Sequence, residues 1–142
     1  MIEILEGETP IDDLSGLIPK FVSTRQDLIN VETRNILEAR YKYSLKNTFV
    51  YSNRFLMTMH RDMYNLVWKW AGKKRIFNLN IGVPHFNIDT EIKNLLDDLK
   101  CWEEVGEELF KIISFFHHRL TKIHPFQNGN GRWARFVVSY YS

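Results

Sequence analysis

Apolar residues recur at helical spacing along most of the chain, with one clear interruption. Gly7, Pro10, Gly16 and Pro19 punctuate residues 1–22, which read as an irregular arm. Ser23 and Thr24, followed three residues later by Gln26 and Asp27, offer overlapping capping boxes. They predict a helix over about 25–45 with a partial stripe of Leu28, Val31, Ile36, Leu37 and Tyr41. After the cap candidate Ser52, Phe55, Met59, Met63, Leu66, Val67 and Trp70 keep one face to Gly72, the expected C-terminal glycine. The period then changes. Lys73–Phe86, with Ile81-Gly82-Val83-Pro84 inside it, reads as a β-hairpin or extended flap. Helicity returns after the cap candidate Asp89, with Ile92, Leu95, Leu96, Leu99 and Trp102 on one face, until Gly106 breaks it. A helix over about 107–122 carries Leu109, Ile113, Phe116, Leu120 and Ile123. Ile112 and Phe115 widen that face and predict a central helix covered by neighbours. A glycine-rich turn and a short helix from about Arg132 close the chain. The predicted fold is an all-α bundle with one small β-hairpin.

Composition narrows the picture. At 142 residues the chain suits one domain, and 44% hydrophobic with 25% charged residues is a folding composition. Nineteen basic against seventeen acidic residues leave +2, too small a bias to argue direct nucleic-acid or membrane binding. The single cysteine, Cys101, excludes an internal disulfide framework and reads as a small apolar filler beside Trp102. No run approaches a membrane span, and the N-terminus is acidic, unlike a signal peptide. These features point to a cytoplasmic protein. Aromatic residues, at 14%, imply a bulky core or an aromatic surface kept for a partner.

The segment from His124 to Arg135 concentrates the chemistry. Pro125 stops the preceding helix and leaves His124 at the rim of the core. Gly129 and Gly131 permit positive φ, so backbone N–H groups can turn toward one point. A helix starts there, and its unpaired N–H groups and positive dipole end favour an anion. Arg132 and Arg135, three apart, share a face and suit a polyphosphate, with His124 as a general base. Phosphoryl or nucleotidyl transfer follows from that combination. The Asp97-Asp98 and Glu103-Glu104 pairs read as solvated helix faces rather than metal ligands.

This segment resembles the signature of the Fic family: a histidine, any residue, phenylalanine, any residue, an acid, then Gly-Asn-Gly-Arg and a second arginine three later. His124, Phe126, Gly129, Asn130, Gly131, Arg132 and Arg135 match, an agreement of about one in a billion by chance at a given start. Trp70-Ala71-Gly72, Asn80-Ile81-Gly82-Val83, Leu96-Asp97-Asp98 and His117-His118-Arg119-Leu120 bring it nearest to the subgroup called mobile mystery protein B. The resemblance implies a Fic-like domain over 50–142 behind an N-terminal arm and helix over 1–49. It also implies a protein adenylyltransferase, toxin-like in setting, that moves AMP from ATP to a Ser, Thr or Tyr hydroxyl of a target protein. His124 would take the hydroxyl proton. Gly129, Asn130, Gly131 and Arg132 would hold phosphates, Arg135 the γ-phosphate, and Phe126 would anchor the loop. Ile81, Gly82 and Val83 would form the flap that clamps the target backbone by strand addition.

Three departures from the pattern carry consequences. Asn128 stands at the acid position, where a carboxylate would hold Mg²⁺; a neutral amide oxygen weakens that site. The family fold has more helix after Arg135 than the seven residues here, so the base pocket is expected to be incomplete. Glu38 lies in an N-terminal helix as an inhibitory glutamate would, but Arg34 and Ala39 do not fit that motif. The alternatives are a phosphotransferase or other nucleotidyl transferase on the same cradle, or a catalytically weak nucleotide-binding module. The subgroup also suggests an antitoxin or regulatory partner.

Overall fold

A computed structural model describes residues 14–142, so most of the expected arm lies outside the described residues. Five helices follow in order: α1 (Arg25–Ser44), α2 (Asn53–Tyr64), α3 (Ile88–Glu104), α4 (Leu109–Ile123) and α5 (Asn130–Tyr141). The fold is all-α. The described residues group into two compact units, 14–47 with 60–72, and 48–59 with 73–142, so α2 contributes residues to each.

In the first unit the capping box forms as expected: Asp27 N–H donates to the Thr24 hydroxyl, and the Asp27 carboxylate accepts from the Thr24 N–H. The buried face of α1 differs from the expected stripe. It is Leu28, Glu32, Asn35, Ala39 and Tyr43, while Leu37 and Tyr41 are exposed. Glu32 and Asn35 tolerate burial because each has a partner. The Trp68 indole donates to Glu32 at 2.9 Å. Asn35 donates to the Asp62 carbonyl and accepts from Leu66 N–H at 2.9 Å. Asn35 therefore satisfies orphan groups at the end of α2, which stops at Tyr64 rather than at Gly72. The helical phase is lost there, and Leu66 is exposed. Gly72, at φ 77°, instead donates its N–H to Nδ1 of the fully buried His60. Leu17 pairs with Trp68 in an isolated antiparallel bridge.

In the second unit α4 packs on both α3 and α5. Ile92, Leu95 and Leu99 of α3, Ile112, Phe116 and Leu120 of α4, and Trp133, Ala134 and Val137 of α5 are buried. Burying each large side chain contributes about 1.5–3 kcal/mol, enough together to fix the packing. Three sequence expectations change. Leu109 and Phe115 are exposed, so α4 is covered on one side only. Cys101 is exposed rather than a filler. Asp89 is not the cap of α3; Asn87 holds that place, and Asp89 in the first turn pairs with Lys74 and Asn53.

Candidate active site

Helix α4 ends against Pro125. Proline lacks an N–H and disfavours the right-handed α region for the residue before it. His124 leaves the helix in the left-handed conformation, φ 51° and ψ 63°, and caps the helix with its N–H on the Leu120 carbonyl. A non-glycine residue there costs about 1–2 kcal/mol. The arrangement keeps the imidazole half-buried at the rim while Pro125 and Phe126 turn inward. Burial, and then the nearby Arg75 cation, push the His124 pKa below its ordinary value. The ring is neutral near pH 7, the state in which it can accept a proton.

The turn that follows is braced from inside. Asn130 is buried, and its amide closes on one residue: its oxygen accepts from Phe126 N–H and its nitrogen donates to the Phe126 carbonyl, both at 2.9 Å. Phe126 is fully buried and meets Trp133 edge-on at 4.9 Å. The Trp133 indole donates to the Leu56 carbonyl at 3.0 Å. Asn130 therefore braces the loop's shape. Gly129, at φ 76° and ψ 13°, sits just before α5, and no side chain caps that helix. Gly131 does not have the positive φ expected of it. A Cβ there would meet only Arg135 Nη1 at 3.7 Å, an ordinary contact. Gly131 thus leaves bare backbone at the positive end of α5. Arg135 is exposed, and among the described residues no carboxylate pairs with it. Glu38 is exposed and pairs with Arg34 on its own helix at 3.8 Å.

Asn128 donates no charge to this loop. Its side-chain oxygen accepts from Gly129 N–H at 2.7 Å. Among the described residues no group of three or more His, Cys, Asp or Glu could hold a metal ion. A neutral oxygen already engaged by an N–H does not fit a protein-held Mg²⁺.

Residues 73–84 form an irregular loop, bent at 76–77 and 80–83, without the β ladder of a hairpin or an extended run, leading into a 3₁₀ turn at His85–Asn87. The reason is Arg75, which the sequence reading missed. It is buried, and its guanidinium donates to four carbonyls: His124 through Nε at 2.7 Å, Phe77 through Nη1 at 3.1 Å, and Val83 and Ile123 through Nη2 at 2.5 and 3.2 Å. Its own N–H donates to the Pro125 carbonyl at 2.9 Å, and Val83 N–H donates to the Ile123 carbonyl at 3.3 Å. The polar groups of a hairpin are thus turned to the end of α4. Gly82, at φ 87°, lies against that end; a Cβ there would come 2.8 Å from both His124 Cβ and Arg75 Nη2. Ile81 remains exposed. One unit thus holds the flap, His124, the braced turn and the open start of α5.

The Fic/DOC family model matches residues 50–142. The chain belongs to the Fic/DOC family. It is 31% identical over 83 residues to a probable protein adenylyltransferase, y4lH, of Sinorhizobium fredii, covering 52% of this chain and 43% of that protein. The chain thus spans less than half the length of that curated relative. Among solved structures, BepC of Bartonella tribocorum with bound AMPPNP aligns with a TM-score of 0.70 at 17% identity, covering 92% of this chain and 74% of the other. A Fic domain of a Bartonella quintana effector with bound ADP gives 0.65 at 17%, covering 95% and 72%. These likenesses show the fold.

Proposed function

We propose that this chain is a protein adenylyltransferase whose working part is 50–142. The carrying observation is the pairing of a neutral, left-handed His124 with an uncapped, arginine-flanked start of α5. In this reading ATP lays its phosphates on the backbone N–H groups at that helix start, beside Arg132 and Arg135. The nucleotides seen in two Fic structures of the same fold support it. A Ser, Thr or Tyr hydroxyl of a target protein enters along the flap at Ile81, Gly82 and Val83. His124 accepts the hydroxyl proton as the oxygen bonds to the α-phosphorus. The bond from that phosphorus to the bridging oxygen breaks, and pyrophosphate leaves with its electron pair. Neutralisation of phosphate charge by the arginines and amides supplies most of the rate.

The contact between Asn128 and Gly129 N–H favours one second reading. With the acid absent and an amide in its place bonded to the Gly129 N–H, the domain would bind ATP and transfer AMP slowly or not at all. Incubation of the wild type and His124→Ala with ATP labelled at the α-phosphate in a cell lysate separates the two. Protein-bound label with the wild type alone supports transfer by His124. Saturable ATP binding with label in neither sample supports the second reading, and equal, non-zero label with both proteins removes His124 from its role.

A further inference from the structure

Arg75 performs a task that helix capping alone does not require. A cation at the C-terminus of a helix is favourable, and α4 ends with the Ile123 and His124 carbonyls free of helical partners. Two donors of Arg75 serve them. The same guanidinium also reaches Phe77 and Val83, on either side of the flap's own bend. The fork therefore bonds simultaneously to the segment carrying His124 and to the segment before and after Ile81. Its partners are carbonyl oxygens, and among the described residues no carboxylate competes for it. Gly82 shows how close the fit is, since even one methyl group would collide with Nη2 and with His124 Cβ.

We propose that Arg75 is a positioning residue that locks the flap and the backbone of His124 into one arrangement. The role of the flap and histidine rests on the adenylyltransferase reading; the lock itself does not. A planar fork with five donors can bond to both segments, whereas the compact ammonium of lysine satisfies one of them and releases the other. Helix α4 then keeps a cation at its end, and the flap loses its register.

The test compares the wild type with Arg75→Lys and Arg75→Gln by amide hydrogen exchange, which involves neither nucleotide nor target. In Arg75→Lys, exchange at Val83 N–H is expected to quicken at least tenfold, while Val137 and Val138 in α5 stay within twofold. In Arg75→Gln both the flap and His124 N–H quicken. The Kd for ATP in Arg75→Lys stays within threefold of the wild type, and the rate of AMP incorporation into lysate protein falls at least tenfold. Unchanged exchange at Val83 in both variants overturns the proposal, as does equal acceleration through α5. If neither variant folds, the wild type decides: Arg75 and Val83 N–H should share one opening, with protection factors within threefold, and widely different factors overturn the lock. A flap released by Arg75→Lys in a protein whose wild type never transfers AMP would leave the lock standing and remove the adenylyltransferase reading.

Discussion

Asn130→Ala tests whether the turn after His124 is held by one side chain. The substitution deletes two hydrogen bonds of 2.9 Å, one to the backbone N–H and one to the carbonyl of the fully buried Phe126. Two net hydrogen bonds contribute about 2 kcal/mol, and the desolvation of buried groups that lose a bond makes the loss larger. Water reaching the vacated space recovers part of it, so about 2–4 kcal/mol is expected. For a chain of 142 residues the unfolding entropy is about 0.3 kcal/mol per degree, which converts this loss to a Tm fall of about 10 °C. Calorimetry with the native α-helical signal as a fold check measures it. Below the melt, the Kd for ATP should rise at least tenfold, because the amides of the turn no longer converge. Asn130→Asp keeps the acceptor for Phe126 N–H and should fall between the wild type and alanine. A Tm within 2 °C of the wild type, with ATP affinity intact, would refute the bracing role.

The other expectations concern the same turn. The folded His124 pKa is depressed, so the unfolded chain takes up a proton first as pH falls below about 6.5. Stability contributed by neutral His124 is therefore complete above that pH and lost toward pH 5. Paired urea titrations should show the wild type falling relative to His124→Gln; a flat difference between pH 5 and 8 would contradict the depression. Gly131→Ala should fold with an unchanged or slightly higher Tm, since its Cβ meets only an ordinary contact and alanine favours a helix. Its ATP Kd should rise at least tenfold; calorimetric affinity equal to the wild type would mean that no phosphate approaches that backbone. Asn128→Asp restores a charged oxygen and should make ATP binding more responsive to Mg²⁺, by about tenfold between chelator and millimolar metal. The same response in both proteins would show that position 128 is indifferent to metal.

The helices were legible in the sequence wherever one apolar face sufficed. Ile92, Leu95, Leu96 and Leu99 are buried as their spacing predicts, and Thr24 with Asp27 capped α1 as written. The reading failed where polar groups do the packing. Glu32 and Asn35 occupy the buried face of α1, and only their partners at Trp68, Asp62 and Leu66 make that burial tolerable. No local pattern carries that information. The site segment was conspicuous because its residues are adjacent in sequence. Arg75 was not, since its carbonyl partners at 123 and 124 lie far along the chain and a backbone acceptor has no sequence signature. The missing hairpin has the same origin: the donors and acceptors that would have paired across it are engaged by one side chain and by the end of α4.

Among the described residues His124 is the one non-glycine residue with a positive φ. Asparagine tolerates that conformation better than other non-glycine residues, and a more comfortable residue there would relax the chain by about 1 kcal/mol. On the adenylyltransferase reading, asparagine at this position would exchange the proton acceptor for a more relaxed backbone.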